Sequence, residues 1–203
     1  MDNKIMPLSE TLNIMRSIKM IYEDKRIVLK SEISCTLRSP LIEDAKSMID
    51  YLKTTSAETE FMVRYPEEVN MAIEEEENIL QKIIDSKNSI MIAAFINDEL
   101  VGNASISCVN ERVKLLHRAS FGIAVKQKAW GIGIGNVLLN EIINKAKEIG
   151  FEQIELTVVE NNYKAINLYE KFGFVKCGVI DKAFKLKDGS YYGEIIMIKS
   201  LLK

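Results

Sequence analysis

Around residue 126 the hydrophobic pattern of this chain changes period. Upstream, two apolar runs, Ser89 to Ile96 and Glu99 to Cys108, flank Asn97-Asp98, a pair that favours a tight hairpin turn. A third run, Leu115 to Val125, extends them into an antiparallel meander. Downstream, Gly131, Gly133 and Gly135 lead into Leu138, Leu139, Ile142, Ile143, Ala146 and Ile149, an apolar face at helical spacing that Gly150 ends. Ile154, Leu156 and Val158 then alternate with Glu155 and Thr157, which is the period of a half-buried strand. A second helical stripe, Ala165, Leu168, Tyr169 and Phe172, stops at Gly173, and strands at Phe174 to Val179 and Glu194 to Ser200 follow. A meander succeeded by strand, glycine loop, helix, strand, helix and strand predicts an α/β layer structure around one central sheet.

Before the meander, Leu8, Leu12, Met15, Ile18 and Tyr22 predict a leading helix, with Pro7 near its start. A strand is expected at Ile33 to Arg38, then a helix from Ser39-Pro40 whose face is Leu41, Ala45, Met48, Ile49 and Leu52. Pro66-Glu67-Glu68 reads as the opening of a helix that runs to about Ser86, with Val69, Ile73, Leu80 and Ile83 inward and Glu74 to Glu77 on its solvated face. No repeat or linker interrupts the 203 residues, so a single domain over 1–203 is expected.

Composition removes several classes of function. With 47% apolar and 28% charged residues the chain has the balance of a folded domain, which disfavours disorder and coiled coil. Lys and Arg number 27 against 29 Asp and Glu, a net charge of -2, and the one dense basic stretch, Lys182 to Lys187, is short. Nucleic acid is therefore not expected as a partner. A single histidine, His117, cannot build a paired-histidine metal site, so no metal is expected. Cys35, Cys108 and Cys177 are odd in number and far apart, as in reduced thiols. The longest apolar run, Ile90 to Ile96, is far below the ~20 residues of a membrane span, and no signal-peptide pattern opens the chain; a cytoplasmic protein is expected.

The glycine loop carries the chemistry. Glycines between a strand and a helix let the backbone approach an anion, and the first helical N–H groups point at it with the helix dipole behind them. A nucleoside triphosphate loop would continue Gly-Lys-Ser/Thr, whereas Gly135 is followed by Asn136-Val137. A dinucleotide loop would need Gly-x-Gly-x-x-Gly, which this spacing does not match.

Trp130-Gly131-Ile132-Gly133-Ile134-Gly135 resembles the pyrophosphate loop of the GCN5-related N-acetyltransferases (GNAT), Gln/Arg-x-x-Gly-x-Gly/Ala. Ala119-x-Phe121-Gly122-Ile123-x-Val125 is similar to the family's preceding strand, and Asn162-x-x-Ala165-x-x-Leu168-Tyr169-x-Lys171-x-Gly173-Phe174 to its later segment. Lys187-Asp188-Gly189-Ser190-Tyr191-Tyr192 through Met197 looks like the ending of the ribosomal-protein acetyltransferase branch.

The resemblance implies a mainly antiparallel sheet flanked by helices, with two parallel strands splayed around acetyl-coenzyme A. It divides the chain into a helical extension, 1–32, and a core, 33–203, with the extension packing on the core, lidding the acceptor or making a homodimer contact. Coenzyme contacts are expected from Ile123, Ala124, Val125, Trp130, Gly131, Ile132, Gly133, Ile134, Gly135, Asn136, Asn162, Ala165, Tyr169 and Lys171. Asn162 is equally a helix cap. An amine of a small molecule or protein attacks the thioester directly, and Tyr169, unless it is simply core, protonates the leaving sulfur. His117 and Glu160 are the candidates for the base, His117 being alternatively structural, and Glu74 to Glu77 also offers a field that draws a cationic amine. Three positions depart from the family: Trp130 replaces Gln/Arg, Ser120 a common Glu, and Gly193 a common Asp. The rival reading is a non-catalytic acyl-coenzyme A-binding module on the same fold.

Overall fold

Strand β1 (Lys25–Val28) turns through a 3₁₀ segment into β2 (Ser34–Arg38), and helices α1 (Ala45–Ala57) and α2 (Ile73–Asp85) follow. The meander is β3 (Ser89–Ile96), β4 (Glu99–Cys108) and β5 (Arg118–Val125), after which come α3 (Ile134–Ile149), β6 (Gln153–Val159) and α4 (Tyr163–Lys171). A hairpin of β7 (Val175–Lys185) and β8 (Tyr191–Ser200) ends the fold. These elements come from a computed structural model that describes residues 20–202.

The eight strands form one sheet in the order β1-β2-β3-β4-β5-β6-β8-β7. Every neighbouring pair is antiparallel except β5 with β6. This is the layered α/β structure around one sheet that the sequence pattern predicts, and the mixed, mainly antiparallel pairing that the family resemblance implies.

Two apolar layers hold the sheet. On one face Leu138, Leu139, Ile142 and Ala146 of α3, each 0% exposed, pack on Ile92, Ala104 and Ile154. Burying each large aliphatic side chain contributes about 1.5–3 kcal/mol, so α3 is a firm platform for the loop at its start. On the other face Met48 and Tyr51 of α1 and Leu80 of α2 cover Ala93, Phe95 and Leu100.

Several expectations are corrected, and one lies largely outside the described residues. The leading helix lies outside the described residues except at its end, where Met20 to Asp24 are not helical. There Tyr22 exchanges hydrogen bonds with Ser39, its N–H donating to Ser39 Oγ (2.9 Å) and its carbonyl accepting from Ser39 N–H (3.1 Å), which satisfies the backbone beside β2 instead. Strand β1 was not predicted, because four residues opening Lys-Arg show no alternation. The helix expected from Pro66 is one 3₁₀ turn, Pro66–Glu68, and α2 begins separately at Ile73. Two carboxylates explain the break: Glu68 accepts the Tyr65 N–H (2.7 Å) and Glu75 the Ala72 N–H (3.1 Å), so each starts its own turn. The buried face of α2 is consequently Glu76, Leu80 and Ile84, with Ile73 exposed. Glu76 is only 3% exposed, and burial raises its pKa, so Glu74 to Glu77 is not wholly a solvated face.

Candidate active site

β5 and β6 pair only over Arg118 to Ser120 and Gln153 to Glu155. A two-pronged ion pair, Arg118 Nε to Glu155 Oε1 (2.9 Å) and Arg118 Nη2 to Glu155 Oε2 (2.7 Å), pins that closed end. Beyond it lies a cleft of about 670 Å³ lined by Phe121 to Val125 on one strand and Thr157 to Val159 on the other. The outer end of β5 is engaged with β4, where Lys126 N–H donates to Val101 O (2.9 Å) and Ala124 pairs with Asn103; Ala124 O also accepts the Tyr51 hydroxyl of α1 (2.6 Å). Strand alternation then turns the N–H groups of Ile123 and Val125 toward the cleft.

The loop after β5 is held from two sides. Trp130 Nε1–H donates to Val125 O (2.6 Å), and the Gln127 N–H donates to Glu58 Oε2 (2.7 Å). Trp130 therefore clamps the loop to the strand end in place of the family's Gln or Arg. Gly131 (φ 80°) and Gly133 (φ 106°) adopt the left-handed conformation, which disfavours any side chain, and a Cβ on either would enter open space. Among the described residues the amides from Gly131 to Asn136 donate to nothing. They form a row of free donors at the positive end of a sixteen-residue helix, the arrangement that binds an anion. Gly135 has a packing role, since a Cβ there would lie 3.3 Å from Leu168 of α4.

Helix α4 forms another wall. Asn162 Oδ1 caps it by accepting the Ala165 N–H (3.2 Å), and Asn162 also lines the cleft, so the two readings of this residue coexist. Tyr169 is 6% exposed, edge-on to Phe121 with ring centroids 6.1 Å apart and 5.9 Å from Phe174. It is both core and cleft wall. Its hydroxyl makes no hydrogen bond among the described residues, and burial raises its pKa well above the usual tyrosine value.

Of the residues expected to hold the coenzyme, all line this cleft except Ile132 and Lys171. Ile132 packs into the core, and Lys171 Nζ donates to Asn136 Oδ1 (2.7 Å), bracing α4 against the start of α3. The two candidate bases lie elsewhere. His117 is exposed at the closed end of the splay, where its carbonyl accepts the Glu152 and Gln153 N–H groups. Roughly 23 Å of extended chain, at about 3.3 Å per residue, separates it from Ala124. Glu160 is outside the lining too: its Oε1 accepts the Gly193 N–H (2.7 Å), and a Cβ on residue 193 would fall 2.8 Å from its Oε2. The carboxylate of Glu160 thus fills the space beside Gly193.

Several lining residues carry no signal in the sequence. Glu194 faces the cleft from β8, but Glu-Ile-Ile-Met-Ile has no alternation to reveal which side it takes. Lys30 arrives from the β1–β2 turn, whose backbone bonds to the glycine loop (Lys30 N–H to Ile132 O, 3.3 Å), and Lys164 lies 4.7 Å above the Trp130 ring. Phe61, Met62 and Phe184 line the remaining wall.

The sequence matches the acetyltransferase (GNAT) family over residues 53–174. The L-amino acid N-acetyltransferase AaaT of Escherichia coli K12 is 30% identical over 120 residues, 59% of this chain and 73% of that protein. A GNAT-family acetyltransferase from Streptococcus pneumoniae shares the fold at TM-score 0.78 and 28% identity, covering 83% of this chain and 99% of that one. So does a phosphinothricin acetyltransferase of Sinorhizobium meliloti solved with acetyl-coenzyme A, at TM-score 0.72 and 20% identity over 82% of this chain and 88% of that one. With its splayed parallel strands and free loop amides inside the matched span, the chain belongs to the GNAT family and is an N-acetyltransferase.

Proposed function

We propose that the protein binds acetyl-coenzyme A together with a primary amine, on a small molecule or a protein, and transfers the acetyl group by direct attack. The row of free amides from Gly131 to Asn136, facing open space at the start of α3, carries this reading. It fits a pyrophosphate without needing a basic surface. Beyond Ser120 β5 does not pair with β6, so the cleft-facing N–H groups of Ile123 and Val125 fit the amide-bearing arm of the coenzyme, and either is suited to polarise a thioester carbonyl. The bound coenzyme supplies an acetyl group already activated as a thioester. The relative AaaT, named for L-amino acids, supports an amine acceptor.

Tyr169 lines the cleft with a free hydroxyl that burial keeps protonated, so it is suited to give a proton to the departing sulfur. Neither Cys35, Cys108 nor Cys177 lines the cleft, which leaves no thiol there to carry an acetyl group. Direct attack needs both substrates bound at once. Initial rates measured against both substrates are therefore expected to give intersecting reciprocal plots. Parallel lines, with isolation of an acetylated enzyme, would overturn the direct route.

A further inference from the structure

We propose that Tyr51 is a positioning residue for the acetyl transfer: its hydroxyl fixes the Ala124–Val125 peptide and strengthens the Val125 N–H as the donor to the thioester oxygen. The assignment rests on the reaction proposed above, and specifies which amide of β5 polarises the carbonyl and what tunes it. Tyr51 stands on α1, two residues before the span that matches the family.

The ladder between β4 and β5 sets the directions. Hydrogen-bonded pairs alternate along an antiparallel ladder, and the bonds Val109 N–H to Arg118 O (3.0 Å) and Lys126 N–H to Val101 O (2.9 Å) fix its phase. Asn103 with Ala124 is therefore a bonded pair, and the Ala124 carbonyl points toward β4. A trans peptide holds its carbonyl and its N–H on opposite sides, so the Val125 N–H of the same peptide points away from β4 and into the cleft.

Besides its ladder partner, Ala124 O takes a second donor, the Tyr51 hydroxyl at 2.6 Å. Tyr51 is 1% exposed, lies in the core with Met48, Leu80 and Phe95, and does not line the cleft. It therefore reaches the reaction through the peptide and not through the substrate. Burial raises its pKa above the usual tyrosine value, so the hydroxyl stays a donor at neutral pH. The next carbonyl, Val125 O, is held by Trp130 Nε1 (2.6 Å), and α1 is followed by a second grip at Gln127, whose N–H donates to Glu58 Oε2 (2.7 Å). The Val125 amide is thus immobilised on both sides. Among the described residues the only side chains that donate to a carbonyl of β5 are Tyr51 and Trp130, so Gly122 O, in the peptide of the Ile123 N–H, keeps its ladder partner alone.

A carbonyl that accepts a hydrogen bond draws electron density from the N–H of its own peptide, and bonds linked in this way strengthen one another by roughly 10–30% each where water is excluded. As the amine attacks, negative charge gathers on the thioester oxygen, and a donor already fixed in place meets it without reorganising. Tyr51 gives up no proton in this step; its bond to Ala124 O stays a hydrogen bond throughout.

Two spectra and a rate test this. In the unmodified protein, exchanging coenzyme A for acetyl-coenzyme A adds the acetyl group alone, and the Val125 amide proton is expected to move downfield further than that of Ile123. Tyr51→Phe keeps the ring in the core and removes only the hydroxyl. With acetyl-coenzyme A carrying carbon-13 at its carbonyl, the infrared stretch of the bound thioester is expected below its frequency in water, and to return part of the way in Tyr51→Phe with coenzyme A affinity unchanged. Met48→Leu, a change of similar volume in the same core, is expected to leave that stretch where it is. A single turnover in Tyr51→Phe, with whichever of a panel of primary amines the unmodified protein acetylates fastest, is expected to slow about fivefold. A larger amide shift at Ile123, an unchanged carbonyl stretch in Tyr51→Phe, or a wild-type rate there overturns the role of Tyr51 and leaves the transfer reaction standing. A stretch that moves equally in Met48→Leu makes the effect one of core packing, and overturns it too. Failure of acetyl-coenzyme A to bind the unmodified protein overturns the reaction itself, and this assignment with it.

Discussion

Tyr169 shows how one side chain belongs to the core and lines the cleft at once. Its ring completes an aromatic cluster with Phe121 and Phe174, while its hydroxyl has no hydrogen-bond partner among the described residues and the residue lines the cleft. Burial favours the neutral phenol, so at neutral pH the hydroxyl is a proton donor. Tyr169→Phe keeps the ring and removes only that donor. Turnover is expected to fall by about 10²-fold while coenzyme A binds as before, and calorimetry beside steady-state rates checks both halves. The apolar stripe of α4 marks Tyr169 as core, and the family resemblance marks it as the proposed proton donor. His117 and Glu160 have the chemical type of a base and stand near the cleft strands in sequence. The direction each side chain takes depends on tertiary contacts: His117 lies before the splay begins, and Glu160 turns back onto the Gly193 amide.

At the scale of elements, the loop into α3 is where the sequence is most informative. Glycines at alternate positions between a strand and an amphipathic helix have few uses, and the left-handed backbone at Gly131 and Gly133 shows why two of them are glycine. Gly133→Val forces a β-branched residue into that conformation, at a cost of about 1–2 kcal/mol, and places methyl groups where the loop amides face open space. Coenzyme A affinity is expected to drop more than about tenfold, or about 1.4 kcal/mol, whereas unchanged affinity by calorimetry would remove the cradle. Helix α2 was harder to read. Pro66-Glu67-Glu68 carries every local sign of a helix start, yet Glu68 and Glu75 cap two separate turns, and the change of phase puts Glu76 inside and Ile73 outside. A capping carboxylate at either position satisfies the same local rules, so periodicity alone does not choose between them.

Across the whole molecule, the meander β3-β4-β5 follows from the pattern, whereas β1, the place of β8 between β6 and β7 and the acceptor end of the cleft do not. The meander β3-β4-β5 and the strand–helix alternation after it are local signals, and the sheet they build leaves β5 and β6 to diverge after three residue pairs. Phe61, Met62, Phe184 and Glu194, which also line the cleft, come from two distant stretches of chain, the segment after α1 and the β7–β8 hairpin. Only folding brings these together, and the clasp of Lys187 on Tyr65 and Glu67 joins the two stretches. The net charge of -2 is compatible with a pyrophosphate ligand because backbone amides, not a basic surface, face the open loop. The most direct measurement follows free thiol and N-acetyl product together when the protein meets acetyl-coenzyme A and a panel of primary amines. Amine-dependent thiol release, equal in amount to the acetylated amine, is the predicted result. Tight coenzyme binding with no amine-dependent thiol release would contradict it and make the fold a non-catalytic acyl-coenzyme A-binding module.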